Sequence, residues 1–251
     1  MILTHTHYEG KRVEICDLDK PHQKYILKDG TEVTGVTTIL QVLDKGGDLT
    51  NWIIKTVREG GDPEAIKVNA GRIGTAAHFL CESYLGGYNA QFEGLTQEQL
   101  DVAILSFGKF KSYWEASGYT LVHSEVQLVS ETYKYGGTID CIVKDQDGNL
   151  GILDIKTSTG IYDGYIMQLA AYFHLYAENY GEGITDFKIL RIGKEDPEDF
   201  HLLDIPADMI EVGWKLFQKA NEALKLKKEL NAIKTGCGLT QRYTPLKRKK
   251  K

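Results

Sequence analysis

Gly136-Gly137-Thr138-Ile139-Asp140 and, a little further along, Ile152-Leu153-Asp154-Ile155-Lys156-Thr157-Ser158 are the stretches on which the fold turns. The second is short, apolar and β-branched, as a strand should be. Side chains of a strand alternate between faces, so Asp154 and Lys156 point one way while Leu153 and Ile155 point into the core. Asp147-Gly148 lies between the two stretches and is a hairpin signal, which puts Asp140 on the neighbouring strand, within reach of Asp154. Two adjacent carboxylates repel unless a positive charge lies between them. A divalent cation supplies that charge, and hard oxygen ligands suit Mg²⁺ or Mn²⁺. Lys156 could then hold a water and offset charge developing on a phosphorane-like transition state. Without the cation, Asp154 and Lys156 read as an ion pair on an edge strand, a common and weak feature.

Working outward, strands are expected at 119–130, 133–143 and 151–156, and again at 187–192 and 200–205. Helical periodicity runs over 63–84, 96–118, 161–180 and 207–234, with a shorter patch at 52–58. Thr96 followed by Gln99 is a capping-box pattern, and Gly86-Gly87 should stop the helix before it. Residues 12–43 read as extended segments around a turn at Asp29-Gly30, and the β-branched run Val33–Leu40 reads as extended too. This order predicts an α/β domain with a mixed sheet. We divide the chain into an N-terminal extension packed on the core (1–62), the core itself (63–241) and a basic tail (242–251).

Two hundred and fifty-one residues with 42% hydrophobic and 26% charged side chains are enough for a real core and exclude wholesale disorder. The start of the chain does not read as a signal peptide, and no stretch is long and apolar enough to span a membrane. Cys16, Cys81, Cys141 and Cys237 are far apart, which argues against a zinc ribbon, a disulfide framework or an iron–sulfur cluster. A soluble, cytoplasmic protein is expected. The net charge of −5 conceals an asymmetry: residues 242–251 hold six basic groups and no acid, leaving −11 on residues 1–241. A body this acidic does not coat DNA, so any nucleic-acid contact must be local. No Gly-x-x-x-x-Gly-Lys-Ser/Thr, Gly-x-Ser-x-Gly or His-Glu-x-x-His occurs, so a nucleotide-driven motor, a serine hydrolase and a nucleotide cofactor site are not expected.

Asp140 followed by Asp154-Ile155-Lys156-Thr157-Ser158 resembles the core of the PD-(D/E)XK nucleases, and more narrowly their RecB-type, phage exonuclease and mitochondrial genome-maintenance members. Gly74-Thr75-Ala76-Ala77-His78 is similar to the group's helical Gly-x-x-x-His motif, and Gln168-Leu-Ala-Ala-Tyr172 to its Gln-x-x-x-Tyr motif. Val36-Thr37-Thr38-Ile39-Leu40 resembles a stretch near the start of the phage enzymes, although Gly35 replaces their usual serine. The resemblance implies a restriction-endonuclease-like fold. It also implies a Mg²⁺- or Mn²⁺-dependent deoxyribonuclease, an exonuclease on duplex ends or single strands in phage-type recombination, replication or repair. It would act in the host cytoplasm if phage-encoded, with DNA and a recombination or replication protein as partners. By the same resemblance, His78, Asp140, Asp154 and the carbonyl of Ile155 hold the metal, and Lys156 positions the water.

Glu82, one turn after His78, is a candidate fourth ligand or a support for the imidazole, and Glu125 a candidate support from the adjacent strand. Gln168 and Tyr172 read as a polar pair on the helix surface, able to touch a phosphate or base. Thr157, Ser158, Thr37 and Thr38 are further candidate DNA contacts. Two other readings stay open: a catalytically silent DNA-end-binding or partner-recruiting module, and a structure-specific endonuclease.

Overall fold

The computed structural model describes residues 6–8, 11–18, 24–43, 46–181, 183–195 and 199–238. The basic tail lies outside the described residues. In chain order the elements are β1 (Thr6–Tyr8), β2 (Lys11–Asp17), β3 (Tyr25–Ile26), β4 (Glu32–Gly35), α1 (Val36–Leu40), α2 (Gly46–Arg58), α3 (Pro63–Gly86) and β5 (Asn89–Glu93). They continue with α4 (Gln97–Ser117), β6 (Thr120–Ser130), β7 (Tyr135–Lys144), β8 (Leu150–Lys156), α5 (Asp163–Tyr180), β9 (Ile184–Ile192), β10 (Phe200–Asp204) and α6 (Ala207–Gly236).

The two helices in front of the sheet strands are fixed by local chemistry. Asp62 caps α3 by accepting the N–H groups of Glu64 and Ala65, with Pro63 in the first turn where its missing N–H costs nothing. Gly87 ends the helix in the left-handed region at φ 68°. Thr96 and Gln99 form the reciprocal capping box at the start of α4.

The central sheet is mixed and runs β10-β9-β8-β7-β4-β3, with β6 added antiparallel along β7. Since β6 takes one edge of β7, strands β8 and β4 must share the other. β8 pairs antiparallel with Cys141–Lys144, and β4 pairs parallel with Tyr135 and Gly136. Between these partners, residues 137–140 of β7 have no ladder on that edge. The fork so formed is where the candidate site lies.

Helices cover both faces of the sheet. On one, α1, α5 and α6 build a core around Ile39, Ile139, Ile152, Leu169, Leu175 and Phe217. On the other, α3 and α4 meet Cys141, Leu153, Ile155 and Leu190 through Cys81 and Phe110. A residue such as Leu153, wholly buried here, contributes about 1.5–3 kcal/mol by leaving water. β8 is therefore central, with Gly151 to Ile155 all buried, and not the edge strand of the ion-pair reading. Asp154 is 1% exposed because Ile152, on its own side of the strand, is packed as tightly as Leu153 on the other.

Three expectations are corrected. Val36–Leu40 is a helix, not a strand: Val36 and Ile39 bury on one side while Thr37 and Thr38 stay exposed, and packing on α5 and α6 outweighs β-branched propensity. β5 falls in a stretch with no expected strand; it pairs parallel with β2 in a separate three-stranded sheet. Residues 25–43, within the expected N-terminal extension, supply two strands and a helix of the main body. No helix among the described residues is long and apolar enough to cross a membrane.

Candidate active site

Asp140 stands at the fork in β7, and its Oδ2 accepts the backbone N–H of Ile155 at 2.7 Å. This bond replaces the ladder that has ended one residue earlier, at Cys141–Leu153. It fixes the Asp140 carboxylate against β8 at the strand position next to Asp154. Lys156 then reaches back along its own strand, placing Nζ 2.5 Å from Asp154 Oδ2. The same ammonium lies 5.1 Å from the centre of the Tyr165 ring on α5, a cation–π contact. Asp154 Oδ1 is buried and has no hydrogen-bond donor.

The third wall is α3. Gly74 is buried where this helix crosses the end of β8, and a Cβ there would come within 2.8 Å of Thr157 Oγ1. Glycine thus permits the close approach that carries His78, one turn on, to the fork. His78 Nδ1 lies 3.7 Å from Asp140 Oδ1. Glu125 arrives from β6, opposite Asp140, with φ 48°, a conformation that long side chains rarely adopt. His78, Glu125 and Asp140 each offer a ligand atom within 4.8 Å of the others.

Burial dominates the electrostatics. It pushes the Asp154 carboxyl up to about 6, against the pull of Lys156 and with a further push from Asp140. It also raises Asp140, and it raises Glu125 well above the usual carboxylate range, where Asp140 and Glu82 add to the effect. His78 is driven down to about 4, first by burial and then by the Lys156 charge, so its imidazole is neutral near pH 7 and able to donate a lone pair. Burial opposes the charge on Lys156, but Asp154 and Asp140 outweigh it and hold the ammonium above its ordinary value. Three carboxyl groups crowded around one imidazole and one cation form a site short of positive charge.

The remaining candidates divide. Gln168 and Tyr172 are not on the surface of α5 but inside it: both are buried, and the Gln168 amide donates to the Tyr172 hydroxyl at 2.6 Å. α5 is covered around most of its girth, by the sheet on one side and by α6 on another, so the polar pair is folded inward. Tyr172 is raised by burial and then by the charges of Asp154 and Asp140. Glu82 bonds Tyr88, with Glu14 and Arg12 nearby, and is close enough to raise Glu125, but it is not in the cluster with His78. Ser158 turns its hydroxyl to the Gly160 carbonyl at 2.6 Å, while Thr157 packs on Gly74. Thr37 and Thr38 are exposed on α1, outside the cluster. Ile155 contributes its N–H to Asp140 and its side chain to the core.

Two residues at the site go beyond the sequence-based candidates. Tyr165 lies under Lys156, and its position three before Gln168 on one helix face is the signal that points to it. Tyr25 lies far away in sequence; its hydroxyl meets Thr138 Oγ1 at 3.1 Å and its ring covers Gly136, where a Cβ would collide with it. Only the tertiary fold brings it there.

No protein-family profile matches the chain, and no curated protein matches it. Solved structures do overlap it. A provisionally named exonuclease from Eubacterium rectale has 14% identity and a TM-score of 0.46, over 62% of this chain and 68% of that one. The LHK-Exo structure in complex with dAMP has 15% identity and a TM-score of 0.41, over 83% of this chain and 95% of that one. A second LHK-Exo structure, described as an alkaline exonuclease from Laribacter hongkongensis, has 14% identity and a TM-score of 0.35, over 80% and 94%. With overlaps this loose, the functional reading rests on the chemistry of the fork itself.

Proposed function

We propose that the chain is a divalent-metal-dependent deoxyribonuclease of the RecB-like PD-(D/E)XK type, hydrolysing phosphodiester bonds at DNA ends or in single strands. One observation carries the reading. Asp140 and Asp154 are brought together at the single ladder gap on that edge of β7, and Asp154 keeps a buried oxygen with no donor. A buried carboxylate oxygen left without a partner is costly unless a ligand completes it.

The donor set fits Mg²⁺ or Mn²⁺: carboxylate oxygens of Asp140 and Glu125 and a neutral imidazole from His78 lie together, and Asp154 and the Ile155 carbonyl would complete the set from β8. When bound, such an ion supplies Lewis acidity toward a phosphoryl oxygen and lowers the pKa of water. The protein's own groups do the rest. Asp154 holds Lys156 in place, and the protonated ammonium donates toward the attacking water or a phosphate oxygen, offsetting charge as the pentacoordinate transition state forms. The Ile155–Asp140 bond keeps the carboxylate from swinging, which preserves the spacing on which in-line attack depends. Tyr165 and the buried Gln168–Tyr172 pair close the α5 side, where they exclude water.

The test is cleavage of linear and closed circular DNA, single- and double-stranded, with Mg²⁺, with Mn²⁺ and with excess chelator. Metal-dependent loss of linear DNA with intact circles is the expected result. Full activity in chelator would end the reading; nicking of closed circles would make the protein an endonuclease. Metal and DNA binding without cleavage would make it a silent end-binding module.

A further inference from the structure

α6 has thirty residues and two apolar seams. The inner seam, through Ile210, Phe217 and Ala220, packs on α5 and fades after Leu224. The outer seam consists of Met209, Val212, Leu216, Leu226, Leu230 and Ile233, each 48–58% exposed. With Lys219 and Ala223 filling the two remaining places, these residues step along the helix by alternating threes and fours through its whole length. That spacing is the a/d pattern of a coiled coil, sustained for four heptads. A solvated helix has no need of it, and apolar side chains aligned this way form a stripe, interrupted at Lys219, rather than scattered surface leucines. Past Leu224 the helix has no buried residue; Lys225 and Lys228 tie it to the Tyr133 carbonyl and to Thr34 Oγ1, and the stripe faces outward. A helical stretch of that length is marginal in water without apolar cover.

The flanking charges identify what covers it. Beside the distal half of the stripe stand Glu222 and Glu229 on one flank and Lys227 and Lys234 on the other. In a parallel, in-register pair of identical helices, each flanking position on one side meets the residue five places further on in the other helix. Glu222 then meets Lys227 of the second copy and Glu229 meets its Lys234, and symmetry repeats both pairs. In an antiparallel pair like flanks would meet, glutamate with glutamate and lysine with lysine. Glu222 now bonds Lys219 at 2.9 Å, so the one charged residue in the stripe has its own counter-charge at hand.

We propose that the outer face of α6 is a dimerisation surface, on which two copies of this chain pair as a parallel coiled coil. The next place in the stripe after Ile233 is Cys237, which is exposed. A parallel pair brings the two Cys237 thiols face to face; an antiparallel pair puts them at opposite ends of helices about 45 Å long.

The experiment uses the full chain in two measurements. Sedimentation equilibrium should give a dimer that dissociates on dilution. E222K/E229K and K227E/K234E, all at exposed positions, should each be monomeric with unchanged circular dichroism, and mixing the two should restore a dimer of one copy of each. Mild oxidation by diamide, which takes two protons and two electrons from two thiols, should convert the wild-type dimer to a disulfide-linked dimer. Cys237→Ser should abolish that product, and so should Leu226→Glu/Leu230→Glu. A monomer at every concentration overturns the proposal. So does a dimer indifferent to both charge reversals, or one whose Cys237 thiols never cross-link, which would mean another surface or the opposite orientation.

Discussion

The Asp140 carboxylate bonds the backbone N–H of Ile155 across the point where β7 and β8 part company. A side chain thereby does the work of a ladder carbonyl, and the pairing can end without leaving that N–H unsatisfied. The same bond holds one carboxylate beside a second, Asp154, that is 1% exposed. Fold and candidate chemistry meet in that one contact, and the first predictions follow from its energetic cost.

Asp154 keeps its proton in the folded chain up to about pH 6, whereas an unfolded aspartate releases it near 3.9. Stability from this group is therefore fully present below pH of about 4 and is lost as pH rises through about 6. Asp154→Asn removes that loss. In chelator, the melting temperature of the mutant should match wild type at the acid end and exceed it above pH of about 6. Saturating Mg²⁺ should reverse the order there, because only the wild type gains a ligand bound to the folded state. A mutant less stable than wild type across the whole chelated range would show that repulsion is not what Asp154 contributes.

Lys156→Met should stop DNA cleavage while leaving Mg²⁺ binding measurable by calorimetry. It also strips the counter-charge from a buried carboxylate, which typically costs about 3–5 kcal/mol. Denaturant titration in chelator should show that loss, and the Asp154→Asn/Lys156→Met double variant should recover most of it. Simple addition of the two single effects would mean that the 2.5 Å pair is not energetically coupled.

Gly137→Ala tests the floor of the fork. A Cβ there would lie 2.7 Å from the Tyr172 ring and 3.0 Å from Leu175, both fully packed. Overpacking of this kind costs about 1–3 kcal/mol, read as a lower denaturation midpoint at unchanged slope. Cleavage should fall as well, since Tyr172 must shift its hydroxyl away from Gln168. A variant as stable and active as wild type would mean that α5 can retreat without consequence.

The six basic charges of residues 242–251 stand against −11 on the rest of the chain. Deleting them should leave turnover at saturating DNA unchanged and weaken binding. The plot of log affinity against log salt should flatten by about 0.9 for each duplex phosphate that the tail neutralises, or about 0.7 on single strands. Binding by a Lys156→Met background, with and without the tail, is the measurement. Identical slopes would mean that the tail does not touch DNA.

Much of this architecture is written locally. Asp62-Pro63 and Thr96 with Gln99 satisfy helix N–H groups within a turn of themselves, so α3 and α4 are legible as soon as those residues are read. The hairpin of β7 and β8 follows from Asp147-Gly148 and the alternation around Asp154, which is why spacing alone sets Asp140, Asp154 and Lys156 on neighbouring strands. Helical periodicity sets His78 one turn after Gly74 on α3, but it is the resemblance to the Gly-x-x-x-His motif that marks it as a candidate ligand.

What lies beyond the sequence depends on partners far along the chain. Val36–Leu40 has the composition of a strand, and becomes a helix because α5 and α6 offer Val36 and Ile39 a place to bury. Gln168 and Tyr172 have the look of a surface pair until both sides of α5 are covered. Tyr25 reaches Thr138 across more than a hundred residues, and Glu125 joins His78 and Asp140 only through a backbone angle that no propensity favours. Local hydrogen bonding and side-chain period act within a few residues and can be read in one dimension. Which faces are buried, and which carboxylates are forced together, is decided by packing between distant segments, and that exists only once the chain has folded.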